Sequence, residues 1–338
     1  MKAVVLVGGE GTRMRPLTET IKKELLPLVD RTILDHTLDR LVRHGVEEVV
    51  MSSPYLEATF APFIEARRGS PGISWVTEEQ ALDTGGAIVH ALDRIGDEPF
   101  LVLNGDVVTD LDLTELARFH RDQGSVATIA VTLMDDARSY GLVVSEPDGR
   151  LREFREKPEE PIPGTINAGT YVLEPAALGS WHPGDRVNIE REIFPVLIER
   201  GEPVYSFLSD AYWMDTGTPE RYLQAHFDAL DGRMEGLAYD APFVAPSAIA
   251  DPDAKLGRLV VAGHDVRIAA RADVDRSVLL EGSVVGEGTE VAGSILGPRS
   301  IVGAGAILLD CVLGEGASVP ERARLSGAKL RPNEVATV

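Results

Sequence analysis

The chain has 338 residues, 44% of them hydrophobic and 26% charged, which suits a globular protein long enough for two domains. Its formal charge of −21 and pI near 4.7 argue against nucleic acid or an anionic membrane as partner. Its one cysteine, Cys311, cannot form an internal disulfide, no run approaches the roughly 20 apolar residues of a membrane span, and no leader pattern opens the chain, so a cytoplasmic protein is expected.

Ala3 to Val7 is a Val-rich apolar run and reads as a strand buried on both faces. It breaks into Gly8, Gly9 and Gly11, followed by Thr12, Arg13 and Arg15, with Lys22 and Lys23 before Leu25-Leu26-Pro27. Glycines let a backbone approach a ligand, successive N–H groups can converge on phosphate oxygens, and Arg and Lys add positive charge. A Gly-Gly turn after a first strand is by itself commonly only a turn. The glycine spacing does not match G-x-G-x-x-G, and no Gly-Lys-Ser/Thr follows, so neither a dinucleotide fingerprint nor a Walker A loop is present.

The spacing of Leu34, Leu38, Leu41 and Val42 predicts a helix over 34–44, stopped by Gly45. Residues 47–51 read as a strand, 58–67 as a helix, 73–77 as a third strand, 87–95 as a helix after Gly85-Gly86, and 100–103 as a strand. Such alternation predicts a parallel sheet with helices on both faces and ligands at the carboxyl ends of its strands. Two polar motifs fall at such ends: Glu78 to Gly86 and Asn104-Gly105-Asp106. An Asp just past an apolar strand suits a hard cation such as Mg2+, although it also commonly caps a turn. Residues 126–133 read as another strand, and 228–246, with two glycines and two prolines, as a link. Beyond it Ile295, Ile301, Ile307, Leu313, Val319 and Leu325 recur every sixth position, Val285 and Val291 keep the step before a break in phase, and no aromatic follows Phe243. A hexapeptide repeat of this kind predicts a parallel β-helix with one apolar residue per repeat in a thin core.

Taken as a string, GGEGTRMRPLT from Gly8 to Thr18, with Lys23 and Leu25-Leu26-Pro27 downstream, resembles the signature of the sugar-1-phosphate nucleotidyltransferases, GGxGTRLRPLT…KPxLP. Further segments match in family order: Leu82 to Gly86 (L-G-T-x-G), Tyr140-Gly141 (YGxV), Glu156-Lys157-Pro158 (E-K-P), Asn167 to Tyr171 (NAG-x-Y) and Trp213 to Thr218 (W-x-D-x-G-T). The wording Asn104-Gly105-Asp106 and the IEREIFP run from Ile189 to Pro195 are similar to the mannose-1-phosphate guanylyltransferase branch. Lys22 and Glu24 stand where the family usually has Pro, and Asp83 where it has Gly.

The resemblance implies an α/β fold: a Rossmann-like nucleotide-diphospho-sugar transferase domain with a mostly parallel sheet over 1–232, then a left-handed parallel β-helix over 243–338. It places Leu6, Gly8, Gly9, Gly11, Thr12, Arg13, Glu79, Leu82 and Gly85 on the nucleotide, and Gly141, Glu156, Lys157, Asn167 and Gly169 on the sugar phosphate. Asp106 and Asp215 are implied as Mg2+ ligands, and with Arg13 and Lys23 as the catalytic group. The implied reaction joins a nucleoside triphosphate and a sugar 1-phosphate into a nucleotide-sugar and pyrophosphate, with GTP and mannose 1-phosphate first, glucose 1-phosphate with dTTP or UTP second. A non-catalytic nucleotide-sugar-binding regulatory subunit ranks lower, because Arg13, Lys23, Asp106 and Asp215 are all present. The coils carry none of the phosphate or metal motifs, and are expected to serve assembly of a homo-oligomer.

Overall fold

Ala3, Val4 and Val5 are fully buried because strand β1 (Ala3–Leu6) has a parallel neighbour on each side. The structure is a computed structural model that describes residues 1–54, 59–67 and 69–337, the side chain of Glu156 excepted. Ala58, where the second helix was expected to start, lies outside the described residues. The chain divides into two compact units: residues 1–8 with 36–213, and residues 9–35 with 214–338.

The first unit is built on a nine-stranded sheet. Its parallel core runs β3 (Gly72–Thr77), β2 (Glu48–Ser53), β1, β4 (Phe100–Asn104). The strand order therefore reverses direction at the β1–β4 neighbourhood, the switch point where such sheets bind ligands. An antiparallel extension follows: β8 (Gly164–Leu173) pairs with β4, with β5 (Ala127–Met134) and with β6 (Gly141–Ser145). Strand β7 (Leu151–Glu156) pairs with β6, and β9 (Val204–Leu208) runs parallel to β5. Helices α1 (Ile33–Arg43), α2 (Ala61–Ala66), α3 (Asp83–Ile95), α4 (Leu113–Gln123) and α5 (Phe194–Glu199) complete the alternation. Val4, Val102, Ile129 and Tyr171 from the sheet meet Ile88 of α3 and Phe194 of α5 in one core.

Helix α3 begins four residues before the predicted start, and Gly85 and Gly86 lie inside its first turn. These glycines are not breakers. A Cβ on Gly85 would sit 2.7 Å from Ile193 Cδ1, and one on Gly86 would sit 2.3 Å from the Asp185 carbonyl oxygen. They let the helix close onto the 185–193 segment, where the Gly86 N–H donates to Val187 O at 2.9 Å.

In the second unit, residues 243–330 wind into coils whose short strands stack into three parallel sheets. Val261 pairs with Val278, Ile295 with Val312, and Ile301 with Ser318, a repeat of 17 residues; the first coil takes 18, since Phe243 pairs with Val261. The inward positions are Leu279, Val285 and Val291, then Leu296, Val302 and Leu308, then Leu313, Val319 and Leu325, in steps of six, six and five. The predicted β-helix is therefore present with a different phase. Ile295, Ile301 and Ile307 stand one residue ahead of the core positions and face out. Ile301 is 51% exposed, whereas Ile295 is buried from outside.

The cover over Ile295 is helix α6 (Pro219–Leu230), whose Leu223 and Phe227 line a groove with Ile295 and Val312. The Arg276 guanidinium stacks 4.8 Å above the Phe227 ring on the same side. The coils turn at left-handed residues that recur with the repeat: Asp265, Gly282, Arg299, Gly316 and Asn333 mark one corner. Another corner carries a ladder: Ser294 N–H donates to Ser277 Oγ at 3.1 Å, and Cys311 N–H to Ser294 Oγ at 3.0 Å. Cys311 is thus the next rung of a serine stack, and burial pushes its thiol pKa up.

Candidate active site

Strand β1 ends at Leu6, in register with Asn104 at the end of β4. The Gly105 N–H donates to Leu6 O at 2.9 Å, which places half-buried Asp106 immediately beyond the switch point. Gly8 follows under Pro54, whose Cδ would be 2.9 Å from a Cβ there. Beside this edge, the loop after β3 is held by Glu78. Its carboxylate is 4% exposed, accepting from Ser52 Oγ at 3.1 Å and from the Leu82 N–H at 2.9 Å. Glu79, the predicted base contact, is exposed, and Leu82 is buried. Glu78 was legible only as one of two adjacent acids; burial separates their roles.

The sugar-side motifs converge on the opposite flank of β4. Strand β8 bulges between Asn167 and Tyr171, and Gly169 takes φ +68° there. A Cβ on it would lie 2.7 Å from Asn104 Nδ2, so glycine is required by conformation and by space. Asn167 Oδ1 accepts from the Gly169 N–H at 2.9 Å, and Trp213 Nε1 donates to Ala168 O at 2.9 Å. Trp213 also meets Tyr140 edge-on, with ring centroids 5.3 Å apart. Gly141 is paired in register with the backbone of Glu156, and the Lys157 N–H donates to Tyr140 O at 3.0 Å. The first unit thus brings together Leu6, Gly8, Leu82, Gly85, Asp106, Gly141, Lys157, Asn167 and Gly169; the Glu156 side chain lies outside the description. Thr84 and Asn167 both reach Glu190, which sequence reasoning left unassigned within IEREIFP.

The second unit holds the cationic part. Gly11, at φ +64°, starts a tight turn from Thr12 to Met14, and its carbonyl accepts from Thr18 Oγ1 at 2.7 Å. Thr12 and Arg13 are exposed on that turn, and a Cβ on Gly9 would meet no protein atom, so Gly9 is not there for packing. Lys23 begins a second turn and is only 7% exposed. Lys22 before it has φ −64°, the value a proline ring would fix, so a lysine there keeps the backbone angle of the family pattern. Burial lowers the Lys22 pKa against the raising effects of Glu24 and Glu10.

Asp215 accepts from Arg221 Nη1 through Oδ2 at 3.0 Å. A Cβ on Gly217 would lie 2.7 Å from Asp215 Oδ1 and 2.8 Å from Arg13 Nη2, so Gly217 leaves room beside both the carboxylate and the guanidinium. Arg221 has no mark in the sequence, and Gly217 is marked there only as the glycine of the W-x-D-x-G-T match. Among the described residues no group of three or more His, Cys, Asp or Glu side chains gathers as a metal cage. Mg2+ does not ask for one, since it takes one or two carboxylates and fills its shell with water and substrate phosphate. Aspartate carboxylates such as those of Asp106 and Asp215 are of the donor type it takes.

The Nucleotidyl transferase family model matches residues 2–232, and the GMPPB C-terminal domain model matches 239–337. A "Mannose-1-phosphate guanylyltransferase" of Mycobacterium tuberculosis is 35% identical over 292 residues, covering 83% of this chain and 80% of its own. A "Mannose-1-phosphate guanylyltransferase catalytic subunit beta" of Danio rerio is 33% identical, covering 100% and 97%. Among solved structures, HddC from Yersinia pseudotuberculosis complexed with GMP-PN superposes with a TM-score of 0.59 at 27% identity, over 67% of this chain and 97% of that one. The strand order, the glycine-led turn and these matches agree: the chain belongs to the nucleotidyl transferase family.

Proposed function

We propose that the chain transfers GMP from GTP to mannose 1-phosphate, giving GDP-mannose and pyrophosphate. The observation that carries this reading is the convergence at the end of β4: Gly105 bonded to Leu6 on one side, Gly169 fitted onto Asn104 on the other. A nucleotide loop and a sugar loop flanking one strand end suit a transfer between the two. The names of the relatives favour guanylyl and mannose over the alternative of glucose 1-phosphate with dTTP or UTP.

An oxygen of the ionised sugar phosphate attacks the α-phosphorus in line. The new P–O bond forms as the bond to the bridging oxygen breaks, and pyrophosphate leaves with that electron pair. No side chain has to remove a proton, so catalysis consists of positioning and charge neutralisation. Gly8, Gly9, Gly11 and Thr12 present backbone and hydroxyl donors to phosphate, and Arg13 and Lys23 stabilise the charge that gathers there. Leu6, Glu79, Leu82 and Gly85 contact the nucleoside; Gly141, Glu156, Lys157, Asn167 and Gly169 hold the sugar phosphate. Asp106 and Asp215 would hold Mg2+, which would supply further positive charge. Residues 1–232 serve as the catalytic domain and 243–338 as the β-helix domain.

The protein works in the cytoplasm as a homo-oligomer, with small molecules and not nucleic acid or membrane as its other partners. The net charge of −21 supports the exclusion, and no helix among the described residues is long and apolar enough to cross a membrane. One coil face supports assembly: Ile249, Ile301 and Val335 are 64, 51 and 61% exposed there.

The test is pyrophosphate release by the purified chain across GTP, dTTP and UTP, each with mannose 1-phosphate and glucose 1-phosphate. GTP with mannose 1-phosphate is expected to give the highest kcat/KM. A higher value for a glucose 1-phosphate pair would overturn the substrate assignment, and no release with any pair would favour the regulatory subunit.

A further inference from the structure

Glu190 accepts hydrogen bonds from two elements of the first unit, the first turn of α3 and strand β8. From one side the Thr84 hydroxyl donates to Oε2 at 2.9 Å while accepting from the Ile189 N–H at 3.1 Å. From the other the Tyr171 hydroxyl donates to Oε1 at 3.2 Å while accepting from Asn167 Nδ2 at 2.7 Å. Asn167 Nδ2 also lies 3.5 Å from Oε1, and Asn167 Oδ1 takes the Gly169 N–H at 2.9 Å. Each hydroxyl has one proton. With an N–H already directed at its oxygen, that proton goes to Glu190. The centre of this network must accept at both oxygens, which a carboxylate does and an amide does not.

The backbone is shaped to deliver this group. Ile189–Ile193 is a π-helical turn, capped by Asn188 Oδ1, which accepts from the N–H groups of Glu190 and Arg191. Asn188 Nδ2 also donates to Asp83 Oδ1 at 2.9 Å, a second tie to the first turn of α3. π turns interrupt helical regularity and recur at functional sites.

We infer that Glu190 is a positioning residue for the transfer. Its carboxylate locks the Leu82–Gly86 segment to the Asn167–Gly169 bulge, so that the base-side and sugar-side loops hold one register. The inference rests on the proposed reaction for what the two loops bind; the bonds themselves stand without it. Glu190→Gln keeps the size but turns an N–H toward a hydroxyl that needs an acceptor. Both loops then lose their fixed orientation, and a small misplacement of reacting groups carries a large rate cost.

The full-length chain is tested as wild type, E190Q, Y171F and the double variant. E190Q is expected to raise KM for GTP and for mannose 1-phosphate together and to lower kcat about tenfold or more, with Tm within about 3 °C of wild type. Tyr171 touches only the sugar side of the network among the contacts above, so Y171F reads the tie directly. It should weaken GTP binding, measured by calorimetry without sugar, and that effect should vanish in the E190Q background. Kinetic constants for E190Q within twofold of wild type would overturn the inference. So would a change in KM for one substrate alone, or additive effects of Y171F and E190Q on GTP binding. If the wild type makes no nucleotide-sugar from any pair, the reaction reading fails, and the calorimetric cycle still decides the tie.

Discussion

The coils and the sheet edge solve the same problem, how to turn a chain sharply, in opposite ways. In the coils each special position recurs: Asp265, Gly282, Arg299, Gly316 and Asn333 take the same left-handed conformation one coil apart. Five residues of four chemical types do one job, so no single identity is indispensable. At the sheet edge each irregularity occurs once. Gly169 fits against Asn104 and Gly86 against the Asp185 carbonyl, and neither approach is repeated elsewhere in the sheet unit among the described residues. The coils spread their demands over many positions; the site concentrates them in few. Substitution should therefore be graded, severe at the edge and mild in the coils.

The severe end is the charged group. Asp106→Ala and Asp215→Ala are each expected to lower kcat by about 10³-fold or more while the chain stays folded; near-normal turnover by either purified variant would remove that residue from the site. Lys23→Ala should cost about 10²-fold, mainly in kcat, and a change confined to KM would make Lys23 a ground-state binder. Next comes Gly86→Ala. The added methyl meets a backbone carbonyl that cannot swing aside, so a loss of about 1–3 kcal/mol in urea unfolding is expected. An unchanged midpoint would show that α3 can lift from the 185–193 segment.

In the coils the expectation reverses sign. Arg299→Gly removes a side chain from a left-handed corner at φ 55° and should stabilise by up to about 1 kcal/mol, offset in part by the lost Arg299–Glu315 ion pair. Cys311→Ser restores the residue type of the two rungs before it, and thermal unfolding should move by less than about 1 kcal/mol. A large loss at either position would show that the repeat is less redundant than its geometry implies.

The same contrast explains what was legible in the sequence. The first strand, the glycine-led turn and the alternation of the parallel core could be read because each rests on local rules of burial and turn chemistry. The six-residue step was equally plain, yet its phase was not. A coil of 17 is not a multiple of six, so a strict count of sixes drifts from the outer row at Ile295 and Ile301 to the inner row at Leu313 and Val319. Gly85 and Gly86 read as a helix boundary because their reason, the approach of residues 185–193, lies a hundred positions away. Glu190 was hidden more deeply: a glutamate followed by Arg191 and Glu192 in a helical run looks like a solvated face until Thr84 and Tyr171 are seen to donate to it. Nothing local marks residues 9–35 as partners of 214–338 within one compact unit.

The 17-residue coil also sets a quantum for change in chain length. Stacked columns such as Ser277, Ser294 and Cys311 stay aligned only if every coil between them has the same count. Removing 17 consecutive residues would delete one layer, about 4.8 Å of height, and leave every column above and below in register. Losing two or three within a strand would instead rotate all later core residues toward solvent. Insertions of other sizes fit only where the added chain can loop out at a corner, so homologous coils should differ in length by whole turns or by corner loops, and seldom by anything between.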